Sequence, residues 1–313
     1  MRLDLALIRR HPGLSRRRAR EVIEKGQVRV EGRTVLDPGQ PVGQDGDVDW
    51  DPNRKALRRI RSSLPILYED DTLLVVDKPA GLLTVRTRPG AVGEDTALAR
   101  VADYVRRLHP RRAYVGVVHR LDRDTSGALA FALSPVARQG LRALFRAHRI
   151  ERRYAAVVQG EPELPEAVVS APIHDSYQAG RRRVARPGES SHAALTRYRV
   201  VERLDGAALL EVDLETGRQH QIRLHLAHVG LPILGDTLYR PESAGRAPVW
   251  PRRQMLHARV LGLTHPLTGK AVRVESPLPE DFLQTLGALR RRAAPRDPGG
   301  RPSGSGPRHP RRR

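Results

Sequence analysis

From Pro65 onward, the chain alternates short apolar segments with segments that carry helix signals. Residues 73–76 and 128–133 have the length and composition of buried strands, and Ser134 followed by Pro135 is typical of a helix start. No apolar run reaches the roughly 18 residues that a membrane helix needs. The apolar start of the chain is interrupted by Asp4, which argues against a signal peptide. We therefore expect a mixed α and β domain that is neither secreted nor inserted into a membrane.

The charge of the chain indicates the kind of partner. The formal net charge is +21, an excess that implies a polyanion, either nucleic acid or, less often, an acidic membrane surface. Arginine dominates the positive charge, and its planar guanidinium suits phosphate, although GC-biased coding explains the same preference. The sequence has no cysteine, which excludes disulfides and thiolate catalysis and fits a reducing cytoplasm. We expect a cytoplasmic protein that binds nucleic acid.

Residues 1–50 have the pattern of a small α/β module. Ser15 as N-cap and Gly26 as stop signal enclose a predicted helix with one apolar face, and short strands with tight turns follow. The other face of this helix is crowded with arginine, which is either a solvated face or an RNA contact, and the density of charge favours RNA. The candidate RNA-binding residues on it are Arg16, Arg17, Arg18 and Arg20.

Two basic segments delimit the larger domain. Residues 51–63 are polar and basic, and we interpret them as a linker. Residues 290–313 are too poor in apolar side chains to offset the entropy of ordering, so we predict a disordered cationic tail. Such a tail either adds phosphate affinity by counterion release or is dispensable. The larger domain then spans residues 64–289.

Polar residues concentrate at residues 119–127, between two apolar segments. Asp122 and Asp124 lie two residues apart with arginine on both sides. From the residues alone, this run is either an ion-paired turn or a catalytic site, and Asp124 resembles an ordinary turn residue.

A second polar cluster covers residues 215–230. A helix that begins near Arg218 would place Gln219 and Arg223 on one face. The histidines of the cluster lack the i, i+4 spacing of a zinc helix, and no acidic ligand is interleaved. We therefore expect no metal site.

The order of these segments resembles the RluA-type pseudouridine synthase family from about residue 65 to residue 284, and residues 1–50 resemble the S-four-type RNA-binding domain. The run 119–127 is the most specific motif of this resemblance. Residues 84–87 depart from the family, whose members often have His-Pro soon after the Lys-Pro-x-Gly segment, and we expect this to alter local RNA contacts only. The supporting segments are residues 75–82, 153–160, 216–225, 235–239, 256–258 and 265–266.

The resemblance implies a fold and a role for particular residues. The larger domain is expected to be α+β, with a mixed, mainly antiparallel β-sheet and flanking helices. Asp122 is expected to be the catalytic carboxylate, with Arg223 keeping it ionised and Tyr154 beside the flipped base. Arg120 is expected to fill the vacated base stack. Two further RNA-binding candidates are Arg218 and His119, the latter of which has loop support as its alternative role.

Pseudouridine formation detaches uracil from ribose at nitrogen 1 and reattaches it through carbon 5. The reaction involves no net redox change, so we expect no cofactor. The S-four-type module makes ribosomal RNA, and in particular that of the large subunit, the expected substrate, and we expect a monomer. Two other functions are compatible with these residues: a noncatalytic ribosome-associated RNA-binding protein, and an RNA glycosidase that releases the base, because a lone carboxylate can serve either outcome.

Overall fold

The computed structural model describes eight stretches of the chain: residues 1–35, 37–43, 46–54, 64–87, 94–108, 114–178, 180–242 and 245–293. Most of the predicted linker and the predicted tail from residue 294 onward lie outside the described residues. The last helix ends at Ala293, so the predicted boundary after residue 289 falls within that helix. In the described stretches, no helix is both long and apolar enough to cross a membrane.

The N-terminal module packs two helices on a small antiparallel sheet. The sequence predicted the second helix and the short strands but not the first helix. Ser15 caps the second helix, because its side chain accepts a hydrogen bond from the Arg18 N–H at 3.2 Å. The strand order is β2-β1-β3, and buried aliphatic residues from both helices and from β1 and β3 form one core. The elements are α1 (Leu3–Arg10), α2 (Arg16–Glu24), β1 (Val28–Val30), β2 (Arg33–Thr34) and β3 (Val48–Trp50).

The larger domain is built on a ten-stranded sheet with helices beside it, which confirms the predicted α+β class. The main strand order is β4-β5-β7-β14-β8-β13-β12-β9, with β15 paired to β14 and β6 paired to β7. The strands are β4 (Ile66–Glu69), β5 (Leu73–Lys78), β6 (Gly116–Val117), β7 (Ser126–Ala132), β8 (Ile150–Gln159), β9 (Glu166–Ser170), β12 (Leu195–Leu204), β13 (Ala207–Leu214), β14 (Leu256–Thr264) and β15 (Ala271–Glu275), with a separate hairpin of β10 (Ile173–His174) and β11 (Ser191–His192). The helices are α3 (Ala97–Leu108), α4 (Pro135–Arg146), α5 (Gln221–His228) and α6 (Glu280–Ala293).

Both faces of the central strands are buried. Along β5, Leu74 and Val76 join a core that includes residues of α3 and α6, whereas Leu73 and Val75 join a second core that includes residues of α4. Because a strand covered on both faces cannot alternate apolar with polar residues, β5 and β7 have the continuous apolar segments seen in the sequence.

The sheet is mainly antiparallel, and β7 and β14 form a parallel pair within it. In that pair, Gly127 lies opposite Ala258, and Ala258 in turn lies opposite Tyr154 of β8. Gly127 has a φ of 116°, and a Cβ at this position would lie 2.2 Å from the Ala258 carbonyl oxygen. Glycine is therefore required at residue 127, where β7 and β14 approach each other closely. This residue is the last of the 119–127 run and the second of β7.

Helix α5 begins later than the sequence predicted. It starts at Gln221 rather than near Arg218, because His220 has a left-handed φ of 60° and the Gln221 side chain accepts a hydrogen bond from the Arg218 N–H. Gln219 therefore precedes the helix and does not share a helical face with Arg223, which corrects that expectation.

Candidate active site

The loop from Val118 to Thr125 joins β6 to β7 and carries the 119–127 run. His119 fixes its first turn: the ring Nε2 accepts a hydrogen bond from the Ala130 N–H at 2.9 Å, and the ring stacks on Phe145 with centroids 4.7 Å apart. Burial, together with the nearby charge of Arg152, lowers the pKa of His119 to about 3. His119 is therefore neutral at physiological pH and supports the loop, while an RNA contact by His119 stays a prediction.

Lys78, on strand β5, also supports this loop. Its side chain is fully buried, and its Nζ donates hydrogen bonds of 2.9, 2.7 and 2.8 Å to the carbonyl oxygens of Pro79, Leu82 and Arg123. Burial lowers the pKa of Lys78 to about 7, although the negative charges of Asp124 and Asp122 act to raise it. Strand β5 is thereby tied to the turn that follows Asp122.

Asp122 lies within a chain of charged hydrogen bonds. Its Oδ2 accepts a hydrogen bond of 3.1 Å from Nη1 of Arg223, a residue of α5. Asp236 binds the other edge of the same guanidinium, accepting 2.6 Å from Nε and 2.9 Å from Nη2. Asp236 is 1% exposed and Arg223 is 9% exposed, whereas Asp122 is 19% exposed. Burial alone would lower the pKa of Arg223, but the hydrogen bonds and charges of Asp236 and Asp122 raise it, so the guanidinium remains charged.

His220 and Tyr239 lie on the other side of Asp122. The Tyr239 hydroxyl accepts a hydrogen bond from the Arg182 N–H at 2.8 Å and lies 2.9 Å from His220 Nδ1, to which it can donate its own proton. That arrangement directs the His220 Nε2–H toward Asp122 Oδ1, 3.8 Å away. Burial lowers the pKa of His220, so the ring is neutral at physiological pH.

Tyr154 faces the cavity from β8. Its side chain is buried, and its hydroxyl has no hydrogen-bond partner among the residues that the structure describes. Burial raises the pKa of Tyr154 to about 12, so the hydroxyl stays protonated at neutral pH. A protonated hydroxyl without a partner is available to a ligand in the cavity.

The cavity brings the predicted residues of the larger domain together. Its volume is about 440 Å³, within the ~300–1,000 Å³ of small-molecule sites, and it is open to the surface. All six predicted site residues of the larger domain line it: Asp122, Tyr154, Arg223, Arg120, His119 and Arg218. The four predicted arginines of the N-terminal module, Arg16, Arg17, Arg18 and Arg20, are exposed on α2 and do not line it.

Sequence reasoning missed three of these contacts. Asp236, Tyr239 and His220 occurred only as parts of family-like segments, and His220 was also considered, and rejected, as a metal ligand. No local pattern indicates that Asp236 lies against Arg223, because a hydrogen bond between them depends on how the chain after α5 returns to that helix. Across the described part of the chain, no group of three or more potential metal ligands is close enough to hold an ion.

The site can perform chemistry at a carbon centre that carries positive charge. A carboxylate held by a buried guanidinium can add to such a carbon, stabilise its charge or accept a proton from it. A neighbouring buried tyrosine provides both a ring against which a base can pack and a hydroxyl for proton transfer. These features, in a chain that also has a helix with exposed arginines, are typical of an enzyme that acts on RNA.

Comparisons with known proteins give the family. Residues 72–228 match the RNA pseudouridylate synthase model, and residues 1–49 match the S4 domain model. The chain belongs to the RNA pseudouridylate synthase family and is an isomerase, which confirms the resemblance found in the sequence.

Two bacterial relatives and one solved structure illustrate the likeness. The ribosomal large subunit pseudouridine synthase D of Zymomonas mobilis is 38% identical, over 90% of this chain and 91% of the relative. The protein of the same name from Pseudomonas aeruginosa is 36% identical, over 92% of each chain. Human RNA pseudouridylate synthase domain containing 4 superposes with a TM-score of 0.61 and 25% identity, covering 72% of this chain and 93% of that structure.

Proposed function

We propose that this protein converts specific uridines of large-subunit ribosomal RNA to pseudouridine, with Asp122 as the catalytic carboxylate. The hydrogen bond between Asp122 and Arg223 inside the cavity carries this proposal, because it places one charged carboxylate where a nucleotide can enter. The names of the bacterial relatives support the choice of large-subunit RNA. The S4 match supports RNA binding by the N-terminal module, for which α2 offers its exposed arginines.

The reaction assigns a step to each residue. Asp122 acts at the anomeric carbon while the bond from that carbon to uracil nitrogen 1 breaks. Tyr154 packs against the detached base as it turns, so that carbon 5 faces the sugar, and its hydroxyl assists removal of the carbon 5 proton. Nitrogen 1 gains a proton and carbon 5 loses one, so the product has the mass of the substrate. The family likeness gives these roles, and the cavity geometry supports them.

Access to the cavity requires the uridine to leave its stack. Arg120 is exposed, lies two residues before Asp122 and lines the cavity, so its planar guanidinium is suited to occupy the vacated space. Arg218 is also exposed at the cavity, where it can contact the strand. A cytoplasmic location and a monomeric state remain predictions that agree with this substrate.

The decisive experiment uses unmodified large-subunit RNA labelled with tritium at carbon 5 of uridine. Wild-type protein is expected to release tritium, and mapping by chemical labelling and primer extension identifies the position. Asp122→Asn is expected to release none, while Asp124→Asn, a matched change two residues away, retains activity. Full activity in Asp122→Asn contradicts the mechanism, and free uracil in the reaction identifies a glycosidase instead.

A further inference from the structure

Arg152 is a buried cation that the proposed chemistry does not use. It lies on β8 two residues before Tyr154, on the same face of the strand, and its side chain is 9% exposed. Side chains two apart on a strand are spaced by about 7 Å. Arg152 and Tyr154 both line the active-site cavity, as neighbours on one face of β8.

The hydrogen bonds of this guanidinium are only partly made. Nη2 donates to the carbonyl oxygens of Leu214 at 3.1 Å and Glu215 at 3.0 Å. Nε is buried without a partner, and Nη1 makes no hydrogen bond to any described residue. No carboxylate of the described stretches lies within ion-pair distance of Arg152, which distinguishes it from Arg223. A buried charge without a counter-charge is costly, and an anionic ligand removes that cost.

The guanidinium is held in place by its surroundings. Its Cζ lies 5.8 Å from the centre of the Phe145 ring, and a Cβ on Gly217 would lie 2.5 Å from Nη1. Glycine at residue 217 thus leaves room for the guanidinium beside the backbone. This arrangement prepares Arg152 for a ligand rather than leaving it mobile in solvent.

The charges around Arg152 show from which side an anion can approach. A second cavity of about 580 Å³ shares Arg152 with the first, but its lining includes Glu151, Asp213 and Glu215. The lining of the active-site cavity includes five arginines and one carboxylate, that of Asp122. The excess of arginine therefore favours an anion in the first cavity over the second, whose three carboxylates are ion-paired with arginines.

We infer that Arg152 binds a phosphodiester group of the RNA strand next to the uridine that enters the active-site cavity. The inference rests on the proposed function. Phosphate suits the free Nη1, because this nitrogen has no acceptor among the described residues and hydrogen bonds from a guanidinium to an anionic oxygen are strong. The contact holds the RNA strand in place while the base turns, and it makes no base-specific interaction.

The experiment compares Arg152→Gln with Arg153→Gln in binding a short RNA that contains the mapped uridine. Arg153 is the matched control, since it points to the other face of β8 and pairs with Glu211 and Asp213. Arg152→Gln is expected to weaken binding on the order of 10- to 100-fold. For Arg152→Gln, the slope of log affinity against log salt concentration is expected to be shallower by about 0.7, which corresponds to the loss of one phosphate contact. Arg153→Gln is expected to match wild type, and Arg152→Lys to recover part of the affinity.

An RNA with an abasic ribose at the target distinguishes phosphate from base. The loss caused by Arg152→Gln is expected to persist on this RNA, and its disappearance would show that Arg152 binds the base, overturning the inference. An unchanged affinity and salt slope in a folded Arg152→Gln protein also overturns it. If Arg152→Gln does not fold, single methylphosphonate linkages beside the target are tested with wild-type protein, and equal binding by all of them refutes the phosphate contact. Wild-type protein that binds the RNA but releases no tritium refutes the proposed function alone.

Discussion

Lowering the pH is expected to destabilise this protein through His119. In the folded protein, its Nε2 accepts the Ala130 N–H, its ring stacks on Phe145, and Arg152 adds a repelling charge. A proton on Nε2 breaks the hydrogen bond to Ala130. Burial, reinforced by the charge of Arg152, lowers the pKa of His119 from 6.5 to about 3.

The sign and size of the effect follow from this difference. Between pH 6.5 and pH 3, the unfolded chain binds a proton on His119 and the folded chain does not. The contribution of His119 to the free energy of unfolding is therefore complete above pH 6.5 and is lost as the pH falls toward 3. Between pH 7.5 and pH 5, the loss amounts to about 2 kcal/mol.

Urea denaturation of wild type and His119→Gln at pH 7.5 and pH 5 measures this loss. Glutamine can accept a hydrogen bond from the Ala130 N–H through its Oε1 but does not titrate. The contributions of the other histidines to the pH dependence of stability therefore cancel between wild type and variant. The stability of wild type relative to the variant is expected to fall by about 2 kcal/mol from pH 7.5 to pH 5. A difference that does not change with pH refutes the reasoning. RNA binding by His119→Gln at pH 7.5 shows in addition whether His119 contacts RNA.

Three further substitutions test the site and its frame. Asp236→Asn is expected to lower the free energy of unfolding by about 3 kcal/mol in urea titrations, because it leaves the buried Arg223 with one carboxylate, and a loss below about 1 kcal/mol contradicts this. Gly127→Ala is expected to cost about 2 kcal/mol or more in the same assay, since its Cβ would meet the Ala258 carbonyl, and an unchanged stability contradicts it. Tyr154→Phe is expected to slow single-turnover tritium release by about 100-fold with little change in RNA affinity, and a normal rate excludes proton transfer by the hydroxyl.

Signals that act within a few residues were read correctly from the sequence. Ser15 and Ser134 each accept a hydrogen bond from an N–H three residues later, as an N-cap requires. The apolar segments at 73–76 and 128–133 are buried strands of the sheet. Each of these features depends on neighbouring residues alone, so the pattern and the structure agree.

Features that depend on distant residues were not predictable in the same way. Helical periodicity does not predict that the structure buries every residue of α5 from Gln221 to Leu226 and leaves Val229 exposed. The later helix start depends on contacts of the Gln221 side chain with Thr216 and Arg218. These contacts form only when the 216–221 segment folds back on itself, which helical periodicity does not encode.

The placement of two carboxylates on one guanidinium bears on how Asp122 can react. Asp236 takes two donors of Arg223, through Nε and Nη2, and leaves Nη1 for Asp122. If Asp122 adds to the anomeric carbon, its charge disappears in the resulting ester. Arg223 then keeps a counter-charge in Asp236, so the buried guanidinium is not left unpaired at the intermediate. With Asp236→Asn, formation of the same ester leaves a buried cation alone. Asp236→Asn is therefore expected to slow the chemical step in addition to lowering the free energy of unfolding. Single-turnover rates of Asp236→Asn can measure this effect.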